Sequence, residues 1–370
     1  MMKRLFYLML GLVVLAGCHK GGSGDPVEPE EEVLTLDEHR FEVLADGETI
    51  SVQVVSNVEY TVTIPDAFRP WLSEESSKVS KTHVFAVSVN DEPKVREGYV
   101  LFSGGSLKDT VFITQRPVAK DFTETVSGVS LEMVYVQGGT FQMGASEDDD
   151  EAFDWEKPDH EVTLSDYYIG KYEVTQGLWE RVMGTTIEEQ RDKAIEYWNE
   201  DLDLYGKGSE NPMYYVSWNE AQEFCTKLSQ LTGKKYVLPT EAQWEYAARG
   251  GAKSQGYKYS GGNDIDEVAW YWGNSAEKYS TSPVGLKKAN ELGIYDMTGN
   301  VWEWCSDWYS SNYYANSPQT DPVGPETGSY RVYRGGSWDI HAQYCRVSFR
   351  GDRSPYFRNK GLGFRVALLP

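Results

Sequence analysis

Cysteine is scarce, with four residues in a chain of 370. One of them, Cys18, belongs to the N-terminal leader. Cys225, Cys305 and Cys345 remain, which permits at most one intramolecular bridge and excludes a disulfide-stapled scaffold. Histidine is nearly as rare, and neither a His-Glu-x-x-His helix nor a paired-cysteine zinc pattern occurs. Basic residues are outnumbered, 35 Lys and Arg against 57 Asp and Glu for a formal charge of -22, which argues against nucleic acid as a partner. A Gly-x-Ser-x-Gly elbow is missing too. Ser337, Asp339 and His341, two apart on an extended segment, would not converge as a hydrolase triad. Long apolar runs are absent: Leu5 to Ala16 is about a dozen residues, where about twenty are needed to span a bilayer.

What that short run does have is the form of a signal peptide. Lys3 and Arg4 supply the basic start, and Leu15-Ala16-Gly17-Cys18 matches a lipoprotein-processing site. The expectation is cleavage after residue 17 and lipidation of Cys18, with the membrane as a partner. That places the chain in a bacterial cell envelope, anchored in the outer membrane. More than one acyl chain would hold it firmly, because a single chain binds only marginally. Residues 18–32 are rich in Gly, Pro and Glu and read as a self-repelling tether.

From 33 to 118 the pattern has period two. Thr49-Ile50-Ser51-Val52-Gln53-Val54, Tyr60-Thr61-Val62-Thr63-Ile64 and Phe85-Ala86-Val87-Ser88-Val89 alternate between turn residues. This predicts an all-β, immunoglobulin-like sandwich of about seven strands. Residues 119–127 read as a linker.

Beyond it, in 128–370, aromatics, Gly and Asn are dense and long periodic segments are few. Three short helices are legible. Thr175 can cap a helix presenting Leu178, Trp179, Val182 and Met183 and ending at Gly184. Ser217 with Glu220 and Thr240 with Gln243 form capping boxes for two more, the last stopping at Gly250. Cys225 lies on the apolar stripe of the second helix and reads as a small buried hydrophobe. The run Glu147 to Glu151 lacks the spaced ligands of an EF-hand and reads as a solvated loop. Arg346, Arg350, Arg353 and Arg365 suggest either an anionic pocket or, more simply, salt bridges.

Two resemblances follow from longer phrases. Ser56-Asn57, Arg69-Pro70-Trp71-Leu72, Val87-Ser88-Val89-Asn90 and Ile113-Thr114-Gln115 resemble the BACON domain, whose name implies glycan binding; a mere spacer is the alternative. The second half carries Gly138-Gly139-Thr140-Phe141-Gln142-Met143-Gly144, Tyr172-Glu173-Val174-Thr175 and Leu238-Pro239-Thr240-Glu241-Ala242-Gln243-Trp244-Glu245-Tyr246. It continues with Asp296-Met297-Thr298-Gly299-Asn300-Val301-Trp302-Glu303-Trp304, Arg334-Gly335-Gly336-Ser337-Trp338 and Gly361-Leu362-Gly363-Phe364-Arg365. In that order they resemble the formylglycine-generating-enzyme (sulfatase-modifying-factor) family. The resemblance implies a C-type-lectin-like α+β fold with little regular secondary structure.

It also implies a chemistry, and the chain departs from it. Active aerobic members oxidise a sulfatase cysteine to formylglycine with Cu(I) held by two thiolates, ligands that suit a soft cation. Cys345 stands at the second of those positions, but Ile340 stands at the first. Copper is therefore not expected. His341 or Cys305 are the remaining donors, and a Cys305–Cys345 disulfide in an exported chain would consume the last family thiol. If any activity survives, Cys345 and Ser337 would carry it. The family also implies calcium, held by Asp296, Gly299, Val301 and Glu303, with a second site beginning near Asn274; hard oxygen donors suit that ion. The expectation is a non-catalytic module binding a glycan or envelope protein. The alternatives are the formylglycine-generating oxidase itself or another modification reaction on the same scaffold.

Overall fold

The computed structural model describes residues 31–75, 81–91, 95–116, 119–275 and 277–369. The expected signal peptide, Cys18 and most of the expected tether lie outside the described residues. The chain divides into two compact units between Val118 and Ala119.

The first unit is two four-stranded sheets enclosing one apolar cluster. Leu34–Leu36, Glu48–Ser56, Thr82–Val87 and Leu72–Glu74 form one sheet; Arg40–Val43, Leu107–Gln115, Arg96–Gly104 and Thr61–Thr63 form the other. Strict alternation decides which face is buried. Along Glu48–Ser56, Ile50, Val52 and Val54 point inward while Ser51, Gln53 and Val55 face solvent. They meet Val100, Phe102, Val111 and Ile113 of the facing sheet. Among the described residues of this unit eight strands form, where about seven were expected, and Arg40–Val43 pairs in parallel with Leu107–Gln115. Gln115 is wholly buried, and its amide stitches three segments: Nε2 donates to Leu44 O and Ser88 O, and Oε1 accepts from Arg96 Nε.

In the second unit strands and turns outnumber helices. A five-stranded sheet runs in the order Tyr236–Val237, Ala367–Leu368, Tyr167–Gly170, Val129–Val136 and Phe122–Val126. Its last strand corrects the linker reading. Phe122–Val126 pairs antiparallel with Val129–Val136, and Val126 enters the core. The alternation Phe122-Thr123-Glu124-Thr125-Val126 is a strand pattern too short to stand out without its partner. A four-stranded sheet orders Arg350–Arg353, Arg331–Arg334, Trp302–Trp308 and Leu362–Gly363, the last pair parallel.

The three expected helices form at Gln176–Met183, Trp218–Thr232 and Glu241–Ala248, each with its predicted side-chain cap. Ile187–Trp198 is a further helix with the capping box Thr186 and Glu189. Its buried face is Ile187, Gln190 and Ala194, too polar a stripe to announce a helix by periodicity. Trp179 stacks on Phe224 at 5.6 Å within the core of this unit.

The long loops are held by buried ion pairs. Arg346 binds Glu156 bidentately at 2.7 and 2.6 Å, Arg350 binds Glu241 at 2.8 and 2.5 Å, and Arg334 pairs with Glu245. Arg346 and Arg350 thus serve salt bridges rather than an open anionic pocket, whereas Arg353 donates to the carbonyl of Asp352. Cys225 is buried against its helix neighbours, and burial pushes its thiol up.

Candidate functional site

The segment Gly335 to Cys345 leaves the strand Arg331–Arg334 and doubles back on itself. Gly335 and Gly336 both sit in the left-handed region, at φ +98° and +85°. A Cβ on Gly336 would lie 2.4 Å from Cys345 Sγ, so only glycine allows the thiol to tuck against the turn. Cys345 is wholly buried among Tyr259, Val268 and Ala269, with Ile340 and Tyr271 packed on the same cluster. Burial pushes its thiol up to about 12, with the nearby Asp339 carboxylate acting in the same direction. Its Sγ donates weakly to His341 O at 3.8 Å, and a backbone hydrogen bond from Ser337 offsets part of the upward shift.

The other candidate donors turn elsewhere. The His341 imidazole is exposed and lies against Trp272, ring centroids 4.9 Å apart. Cys305 belongs to a separate cluster with Trp244, Met297 and Val332, and both thiols are free. This corrects the expected Cys305–Cys345 disulfide: apolar side chains of two different clusters surround the two sulfurs. A two-thiolate copper site does not fit these residues, because Ile340 packs beside Cys345 and offers no donor atom. Ser337 Oγ donates to Asp339 Oδ1 at 2.7 Å, so the serine is tied to the carboxylate and not to an imidazole.

The second candidate lies at Asp296 to Glu303. Asp296 and Asn300 both adopt left-handed backbone, which curls the loop. Asp296 is buried; Oδ2 accepts from Gly285 N at 2.7 Å while Oδ1 has no hydrogen-bond partner. Burial pushes its carboxyl up to about 6. Glu303 lies in a bidentate pair with Arg365, both contacts 2.6 Å, and accepts from Trp244 Nε1 at 2.7 Å. Glu173, to which sequence reasoning assigned no role, completes the cluster. It accepts from Asn300 Nδ2 at 2.6 Å and Val301 N at 2.9 Å. Burial raises its carboxyl well above the usual range, with Asp296 and Glu303 adding to the effect. Its signal was present, since it stands inside the phrase Tyr172-Glu173-Val174-Thr175.

Three buried carboxylates thus face the single guanidinium of Arg365. The orphaned Asp296 oxygen is a donor of the kind a hard cation takes. No cluster of three or more His, Cys, Asp or Glu side chains poised for a metal occurs among the described residues, so a cation here would lean on backbone carbonyls as well. Asn274 is used otherwise. Its Oδ1 accepts from Tyr271 N and its Nδ2 donates to Ala269 O and Asp266 Oδ1, so the side chain serves a turn rather than opening a second ion site. A groove of about 520 Å³ between Leu164, Leu238, Pro322 and Val323 shares no residue with either candidate site.

Residues 118–369 match the family described as the sulfatase-modifying factor enzyme 1-like domain, and the chain belongs to that family. Among curated proteins it is 37% identical over 283 residues to the chaperone protein LppX of Paenibacillus barcinonensis, covering 64% of this chain and 87% of that one. It is 34% identical over 284 residues to the formylglycine-generating enzyme of Streptomyces coelicolor, covering 63% and 88%. Among solved structures, Treponema denticola variable protein 1 superposes with a TM-score of 0.57 at 34% identity, over 69% of this chain and all of the other. The family fold is therefore shared by proteins whose names denote an enzyme, a chaperone and a variable protein.

Proposed function

We infer that this chain is an envelope lipoprotein, lipid-anchored at Cys18, whose second unit is a non-catalytic binding module on the formylglycine-generating-enzyme scaffold. One observation carries the reading. Ile340, which the family resemblance puts at the first copper-thiolate position, packs on the same apolar cluster as Cys345 and brings no donor atom to it. A Cu(I) centre needs thiolate, and burial among aromatic and aliphatic side chains disfavours it. The kinship with both an enzyme and a chaperone is consistent with a scaffold that outlives its chemistry. The competing reading, an oxidase that makes formylglycine, rests on the family match alone.

The deciding experiment is mass spectrometry of a Cys-x-Pro-x-Arg peptide incubated with the soluble chain from residue 19, Cu(I), oxygen and a reductant. The expected result is an unchanged peptide beside an active two-cysteine relative. Aldehyde formation that disappears in Cys345→Ala would overturn the reading.

Calcium belongs to the same proposal. Asp296, through its orphaned Oδ1, would hold it with the carbonyl oxygens of Gly299 and Val301, and Glu303 would join them by giving up part of its pair with Arg365, the ion supplying a counter-charge that orders the loop. Calcium at 100 times its Kd would add about 2.7 kcal/mol to stability. A melting temperature indifferent to calcium and to chelator would remove it. For the first unit the BACON resemblance leaves two readings, glycan binding and a mere spacer; a glycan array probed with residues 33–117 decides between them, and a blank array leaves the spacer.

A further inference from the structure

The Lys360 ammonium sits inside a box of three rings beside the Ser337–Asp339 pair. Its Nζ lies 4.8 Å from the centroid of Tyr205, 4.9 Å from Tyr279 and 4.9 Å from Trp338. The rings brace one another. Tyr205 stacks on Trp338 at 5.4 Å, and Tyr279 stands edge-on to Trp338 at 5.0 Å with planes 84° apart. The backbone ties two of the walls together, since Tyr205 O accepts from Thr281 N and Thr281 Oγ1, both at 3.0 Å. Trp338 forms a buried floor, whereas Tyr279 is 54% exposed and adopts left-handed backbone at φ +46°, a costly conformation for an aromatic residue.

The present occupant is poorly bonded. A primary ammonium has three N–H donors to satisfy. Here it finds Asp339 Oδ2 at 3.3 Å and Tyr279 Oη at 3.4 Å, both beyond the usual range for such bonds. What the box supplies well is the negative face of three rings, an attraction that needs no hydrogen bond and suits a bulkier cation. Asp339, oriented by Ser337 Oγ, adds a full negative charge. The backbone around Lys360 is fixed, with Gly361 N donating to Asn359 Oδ1 at 2.9 Å. Its flexible side chain is 24% exposed.

We propose that the box formed by Tyr205, Tyr279, Trp338 and Asp339 is a binding site for a quaternary ammonium group, which Lys360 occupies until such a ligand displaces it. This rests on the reading of the second unit as a binding module and names the chemistry of what it binds. The group can come from a methylated lysine of a partner protein or from a choline-type small molecule or headgroup.

The test is calorimetric titration of the soluble chain with tetramethylammonium, choline and a trimethyllysine peptide, using wild type, Lys360→Ser and Lys360→Ser with Tyr279→Ala. An internal occupant that fills the box nine-tenths of the time weakens the apparent affinity about tenfold, so Lys360→Ser is expected to tighten binding by about that factor. Adding Tyr279→Ala is expected to abolish the gain, while circular dichroism shows both variants folded. Tighter binding of the peptide than of the two small cations assigns a protein partner; equal binding assigns the small molecule or headgroup. Absence of saturable binding in Lys360→Ser, or binding that survives Tyr279→Ala, overturns the proposal. The sulfatase-peptide assay is separate: conversion there sinks the module reading itself, whereas failed titrations with no conversion sink only the cation site.

Discussion

Asp307 is a buried carboxyl placed against another. Its Oδ2 accepts from Glu241 N at 2.9 Å and Ser306 Oγ at 3.0 Å, while burial, and then the Glu241 charge, push its pKa up to about 7. An unfolded Asp titrates near 4. Between about pH 4 and 7 the folded state therefore holds a proton that the unfolded chain has lost, and stability falls as pH rises through that window. Asp307→Asn stays neutral throughout. It is expected to match wild type most closely near pH 4 and to gain on it by about 1.4 kcal/mol per pH unit up to neutrality. Urea midpoints at pH 5 and pH 8 measure this, and a difference that does not change with pH would contradict it. Asp296 is raised by burial to about 6 and shares the sign, so wild type keeps part of the slope after Asp307 is neutralised.

Residue identities were legible to different depths. From the sequence, Cys345 and Ile340 were expected at the two copper-thiolate positions of the family motif. The partners of Cys345 could not be foreseen, because Tyr259, Val268 and Ala269 reach it from a distant segment.

At the scale of elements, the helices are governed by their first turns. In Ile187–Trp198 the Thr186 side chain accepts from Glu189 N, and Glu189 returns a bond to Thr186 N. Thr186→Ala removes the cap and is expected to cost about 1 kcal/mol, read as a lower urea midpoint with an unchanged slope. The three helices visible in the sequence were visible for this local reason: Thr175, Ser217 and Thr240 each precede an apolar repeat. Sheet pairings offered no such sign. The insertion of Ala367–Leu368 between Tyr236–Val237 and Tyr167–Gly170 joins segments far apart in the chain, and two-residue strands have no period to detect.

For the whole molecule, the boundary between units decides what folds alone. A chain beginning at residue 119 keeps Phe122–Val126 and is expected to melt as the second unit does in the full chain. One beginning at 128 loses a sheet edge and the buried Val126 side chain, itself worth about 1.5–3 kcal/mol. Thermal unfolding of the two truncations by circular dichroism checks this, and equal midpoints would restore the linker reading of 119–127.

The sequence by itself determined the alternating strands of the first unit, three capped helices and the family of the second, because each rests on residues close together or on phrases in fixed order. Only the tertiary structure decided that Cys305 and Cys345 stay apart, that Asp296 keeps an unpartnered oxygen beside Glu173 and Glu303, and that Lys360 ends in a box of three rings. These depend on loops from remote segments meeting in a dry interior, where the cost of a misplaced charge selects one arrangement and local pattern carries no record of it.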